Sequence, residues 1–165
     1  MNRIRWIALA VAAVVVLGWW LWWRSPSVQA PRTFAALARA MADGDAGGVV
    51  GRVHGGYDYR AQWPDLFSAD EIGRLEPRQL AFLGLRQLFE HHRDDPIRCA
   101  YEVHEVTPQD DGSVAVVATL RLSTASGAMM IGPAGPLERH RFILARDGWS
   151  AALFFRGHDP IALKR

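Results

Sequence analysis

The alternation of apolar and polar positions divides the chain into three regimes. From Trp6 to Trp23 there are 18 residues without a charge. At about 1.5 Å per residue such a run makes roughly 27 Å of helix, close to the hydrocarbon thickness of a bilayer. The middle of the chain carries helical spacing. Phe34, Leu37, Ala38 and Met41 fall on one helix face, and Leu80, Leu83, Leu85, Leu88 and Phe89 form a broad stripe between Arg78 and His92. From Pro96 onward the period changes. Ile97–Val106, Ser113–Leu122, Leu137–Arg146 and Trp149–Arg156 alternate or are apolar throughout, with turn signals between them. The pattern predicts an α+β protein: an N-terminal transmembrane helix, then two or three helices packed on a curved antiparallel sheet of four or more strands. It divides into an anchor at 1–24, a tether at 25–31 with two prolines, and a domain at 32–160.

Local punctuation refines the helices. Thr33 is placed to cap a helix running to Asp43, where Gly44 stops it and Asp45 caps a shorter helix through Val53. Tyr57–Ala61 alternates and predicts an edge strand. Ser68 and Glu71 form a capping box, and Pro77 suits the first turn of the next helix. In the meander, Ile97, Cys99, Tyr101 and Val103 share one face, and Arg98, Ala100, Glu102 and His104 the other. The last predicted strand sets Trp149, Ala151, Leu153 and Phe155 on one side. Apolar residues on both sides of the last two strands predict helices on one face and a pocket or partner on the other, with homodimerisation through the sheet as one form of it.

Charge changes the picture at one place. Lys and Arg number 19 and Asp and Glu 17. Without Arg3, Arg5 and Arg24, which flank the first apolar run, the balance is 16 minus 17, or −1. The basic excess therefore belongs to the anchor, and nothing points to nucleic acid. Arg3 and Arg5 before the span predict a cytoplasmic N-terminus and a periplasmic or otherwise extracytoplasmic domain, single-pass in a cell inner membrane. Trp6, Trp19, Trp20, Trp22 and Trp23 suit the two bilayer boundaries. The competing reading is a signal peptide cleaved after Ala30, where Val28-Gln29-Ala30 has the small-residue pattern. The length of the apolar run, the Trp belt and Pro31 after the scissile bond favour a retained anchor.

Several short segments resemble the nuclear transport factor 2-like, or SnoaL-like, cone-shaped superfamily. They are the joint Ala40-Met41-Ala42-Asp43-Gly44-Asp45, the stretch Tyr57–Arg60, and the hairpin Arg141–Trp149 with its Gly-Trp turn. The resemblance implies the cone fold from about Arg32 to Asp159. It implies no single function, because that superfamily hosts isomerases, dehydratases, epoxide hydrolases, transport factors and secretion-system components. The Tyr and Asp used by its steroid-isomerase branch would fall, aligned on Gly44-Asp45, at Leu37 and Ala61, so that chemistry does not carry over. Glu138-Arg139 lies near the third acid position.

Candidate chemistry is sparse. Glu102 and His104, two apart on one strand, are an acid–base pair if they face a cone interior, with His140 as a third member, and a solvated outer face if they do not. The Arg98 on their side favours the second. Asp58 lies near a base position. Tyr57, Tyr59 and Trp63 are candidates for a pocket mouth, and Met129, Met130 and Ile131 for a lid, a partner contact or a membrane-touching tip, unless they simply extend the neighbouring strand. Lone Cys99 reads as a small buried apolar residue, and His54 and His158 as loop residues. No metal or cofactor is expected. The expected partners are the bilayer, a second copy, and a protein or small apolar ligand. The function expected is a membrane-anchored binding or assembly module, with a small-molecule isomerase, lyase or hydrolase as the alternative.

Overall fold

The computed structural model describes residues 2–62, 76–128 and 138–160. The chain is an α+β fold with an N-terminal apolar helix, several further helices and an open four-stranded antiparallel sheet of order β1-β2-β3-β4. The strands are β1 (Ile97–Pro108), β2 (Val114–Thr124), β3 (Glu138–Arg146) and β4 (Leu153–Pro160).

Helix α1 (Asn2–Trp23) is long and apolar enough to span a membrane over Arg5–Trp23, and none of that window is buried against the rest of the chain. Helix α2 (Pro26–Ala42) follows after only Arg24 and Ser25. The segment expected as a tether is therefore mostly helix. Pro26 occupies the first turn, where its missing N–H costs nothing, but Pro31 lies inside the helix and removes a bond. Tertiary contacts hold the segment helical across it. The Gln29 amide donates to the Trp23 carbonyl at 2.6 Å, the Arg32 guanidinium lies 3.5 Å from the Trp23 ring centroid, and Arg146 donates to the Arg24 carbonyl at 2.6 Å. Thr33, expected as a cap, is buried mid-helix, its hydroxyl 3.1 Å from the Gln29 carbonyl and 2.9 Å from that of Leu153.

The end of α2 follows the expected pattern. Gly44 takes φ +65°, its N–H reaches the Met41 carbonyl, and the Asp45 N–H reaches that of Ala40. This is a Schellman stop. Asp45 then accepts from the Gly48 N–H at 2.8 Å and caps α3 (Ala46–Val50). That helix ends short of Val53, which instead forms a parallel bridge with Phe155; His54 N–H bonds the Phe155 carbonyl and Phe155 N–H that of Arg52. The predicted strand at Tyr57–Ala61 is a single helical turn, α4 (Tyr59–Gln62). Helix α5 (Pro77–His91) packs beside α3 through Leu85, Leu88 and Phe89, on a cluster of Ala40, Met41, Val49 and Ile97.

The main core lies between α2 and one face of the sheet. It joins Ala30 and Phe34 to Val114, Val116, Ala118, Phe142, Leu144, Leu153 and Phe155. Cross-strand partners such as Val116↔Phe142 and Val114↔Leu144 point the same way, which sets this inner face. A bulge in β1 at His104 and another in β4 at Arg156 bend the sheet around α2. The last strand begins four residues later than its sequence pattern suggests. Asp147–Ala152 form an extended turn, with Gly148 at φ +56°, and Trp149 is 95% exposed rather than part of a strand face.

Candidate functional site

The inner face is the place to look for a cone pocket. Phe34 fills it. It is fully buried, stacks on Tyr101 at 5.9 Å, and meets Phe142 and Phe155 edge-on at 5.1 Å each. The interior between α2 and the middle of the sheet is thus aromatic and packed.

Polar groups gather at the far end of β3 and β4, opposite the end where α1 joins. His140 and His158 face inward with ring centroids 5.8 Å apart, flanking Phe142. The segment after Val53 folds over them. Tyr57 Oη lies 3.3 Å from His158 Nδ1, the Gln62 side-chain oxygen accepts from the His158 N–H at 3.2 Å, and the Tyr57 and Tyr59 rings meet edge-on at 4.7 Å. The Tyr59 hydroxyl is buried without a hydrogen-bond partner among the described residues. Burial raises the Tyr59 pKa, against a smaller opposing effect of Arg78. Burial lowers that of His158, helped by the neighbouring His140 and opposed by Asp159. His158 is therefore a neutral imidazole at pH 7, able to donate or accept without carrying charge.

The depressed His158 pKa has a stability consequence. Below about pH 6.5 the unfolded chain takes up a proton that folded His158 resists, so stability falls as pH drops from 6.5 through the folded value and is unaffected above it. His158→Gln is expected to flatten the urea-midpoint profile in that window. Asp95 and Asp111 act lower on the scale. Their carboxyls are held down chiefly by the Ser126 and Ser113 hydroxyls, so their contribution is present above about pH 4 and lost as pH falls through the folded values. A profile equally steep in wild type and His158→Gln below about pH 6.5 contradicts the assignment.

The residues singled out in the sequence are dispersed. Glu102 and His104 lie on the outer face. His104 Nε2 is 2.8 Å from Thr119 Oγ1, and Nδ1 is 3.8 Å from Glu102 Oε1, with the glutamate largely in water. His140 does not join them, because it pairs with Ala118 on the inner face while Thr119 points outward. Asp58 is exposed and accepts from the Arg60 and Ala61 N–H groups, so it caps α4 and faces no pocket. Tyr57 and Tyr59 lie against each other, with Tyr57 beside His158. Trp63, Met129, Met130 and Ile131 lie outside the described residues. Cys99 is half-buried, and burial pushes its thiol up to about 11, which suits a packing role. The Trp6, Trp19, Trp20, Trp22 and Trp23 rings are all exposed along α1. The sequence reading missed His158, because it ended the last strand at Arg156. Carrying the alternation across one bulged residue puts His158 on the Phe155 side.

Open grooves lie elsewhere among the described residues. One of about 640 Å³ runs between α3 and the start of α5, lined by Val50, Arg78, Phe82 and Leu83 among others. One of about 340 Å³ lies between the end of α2 and the end of α5. Neither reaches the histidine pair. Among the described residues no three His, Cys, Asp or Glu side chains are grouped to hold a metal ion.

The outer face carries no helix of this chain among the described residues. Ala115, Val117, Ile143, Ala145 and Phe154 form its centre, by register with the inward residues beside them. Arg98, Glu102, Glu105, Arg121, Arg139, Arg141 and Asp159 surround them.

No protein-family model and no curated protein matches the chain. Solved structures do. Aln2 from a Streptomyces species superposes with a TM-score of 0.55 at 21% identity, covering 82% of this chain and 90% of that one. A protein from Catenulispora acidiphila superposes with a TM-score of 0.50 at 13% identity, covering 82% and 89%. At such identities the likeness is one of fold, and it is consistent with the nuclear transport factor 2-like, SnoaL-like architecture that the sequence resembles.

Proposed function

We propose that this protein is a binding or assembly module held at a membrane by α1, with its N-terminus in the cytoplasm and its cone domain outside it. The observation that carries the reading is the filled interior. Phe34 occupies the space that a ligand would need, and its aromatic neighbours leave the polar groups only at the rim. Among the described residues no helix covers the outer face of the sheet, whose half-buried apolar centre and mixed-sign border suit a second copy. In an isologous pair the basic residues on the border of one patch can meet the acidic residues of the other. The second reading is a small-molecule enzyme working at the rim. The neutral His158 beside His140, Tyr57 and the buried Tyr59 hydroxyl favours it, since these are groups suited to proton transfer.

Photo-crosslinking residues at Val117 and at Tyr57, each in the full-length protein in its membrane, separate the two. The module reading expects a covalent dimer from position 117 and no small-molecule adduct from 57. A small-molecule adduct from 57, with none from 117, replaces it with the enzyme. Val117→Asp places an unpaired charge at the patch centre, and sedimentation in detergent is expected to shift from dimer to monomer. An unchanged dimer removes the sheet-face pairing. For orientation, protease added from the outer side is expected to degrade the domain; protection reverses the topology.

A further inference from the structure

Among the described residues of the domain, Trp149 is a large side chain that contributes almost nothing to the fold. It sits 95% exposed on the turn between β3 and β4. A single exposed apolar residue is ordinary; its position here is not. The turn begins immediately after Arg146, whose guanidinium donates to the Arg24 carbonyl at 2.6 Å. Arg24 in turn lies 4.7 Å from the Trp20 ring centroid, and Arg32 covers Trp23. Trp149 is the third residue beyond Arg146, at most roughly 11 Å of chain. The exposed indole is therefore carried at the end of the domain where the aromatic end of α1 emerges, and by a turn that is tied to it.

We propose that Trp149 inserts into the headgroup boundary of the bilayer that α1 enters, so that the domain rests on the membrane at two points and not on a swivel. The inference rests on α1 being membrane-embedded. Indole rings favour that boundary because one end is apolar and the N–H finds water or headgroup partners. The short α1–α2 joint, with its hydrogen bonds from Gln29 and Arg146, removes the slack that would let the turn leave the surface. The nearby charges are of both signs. Asp147 offsets one of Arg24, Arg32 and Arg146, and Arg156 pairs with Asp111 at 3.7 Å, which leaves a small basic excess. Contact is set chiefly by burial of the ring, with a smaller screened attraction to anionic lipid, and it persists in a zwitterionic bilayer at high salt. The histidine rim is then held at the far end of the domain, facing away from the membrane.

The test uses full-length protein in phosphatidylcholine nanodiscs, in a Cys99→Ser background, with a nitroxide at Ser150→Cys. Collision with dissolved oxygen and with a water-soluble nickel chelate is compared. The expected result is an oxygen-favoured signal at 150 that falls, in Trp149→Ser, to the level of a control label at Ala125→Cys. A water-like signal at 150 with Trp149 present, or one indifferent to Trp149→Ser, overturns the proposal. A label at Val15→Cys reports α1 separately. Oxygen-favoured at 15 and water-like at 150 defeats only the Trp149 contact; water-like at both defeats the membrane anchor as well.

Discussion

Phe34→Ala is expected to cost about 3–5 kcal/mol, a large share of the stability of a domain this size. Phe34 is wholly removed from solvent and is the hub of the inner face, in ring contact with Tyr101, Phe142 and Phe155. Its neighbours come from α2, β1, β3 and β4, so the surroundings have little freedom to collapse into the space left behind. The loss combines the transfer free energy of the ring with the cost of an unrelaxed cavity. Such a cavity is lined by apolar and aromatic groups and stays dry, so it should accept a benzene-sized probe that the wild-type protein excludes. Urea denaturation measures the first effect, and the benzene-dependent rise of the midpoint in the variant measures the second. A loss below about 1 kcal/mol, or a wild-type protein that benzene stabilises equally, means that the interior is not filled. The binding-module reading would then lose its main support.

The same residue shows what the sequence made legible. Phe34, Leu37 and Met41 stand out as one helical face, and Gly44-Asp45 as a stop followed by a cap, because these signals are local and the structure has nothing that overrides them. Strand order and the inner face of β1 were equally readable from alternation. The failures have one physical character. Tyr57–Ala61 alternates like a strand, yet Asp58 captures two N–H groups and closes a helical turn. The last strand is displaced because Asp147-Gly148-Trp149 opens a longer turn than a tight hairpin would need. The bulge at Arg156 then shifts the inward phase by one residue, which hid His158. A bulge leaves no mark in a hydrophobic pattern except the break that it causes. Pairing Glu102 with His140 failed for the same reason: face assignments hold within a strand, whereas joining strands requires the register.

The other override, at Pro31, leads to a large expected effect. Two prolines and a Thr cap argue that the domain starts at residue 31 or later, and a peptidase cut after Ala30 would leave that form. In the structure Ala30 is fully buried in the main core beside Phe34, Gln29 is buried next to it, and the first turn of α2 is closed by the Val28 and Gln29 N–H groups on the Ser25 carbonyl. A chain beginning at Pro31 gives up that turn and leaves Phe34 and Leu153 covered on one side only. Relative to a chain beginning at Ser25, whose own α-ammonium also sits at the start of α2, the chain beginning at Pro31 is expected to be less stable by about 2–4 kcal/mol from lost burial and hydrogen bonds. Comparing the urea midpoints of the two soluble chains checks this at equal slope. Equal midpoints would mean that 26–30 is a tether after all and that a cleaved product is as sound a domain as an anchored one. A deficit of the expected size makes the junction part of the domain. It also supplies a physical reason for the apolar helix to stay attached, since the residues that a cut after Ala30 removes include part of the core over which α2 closes.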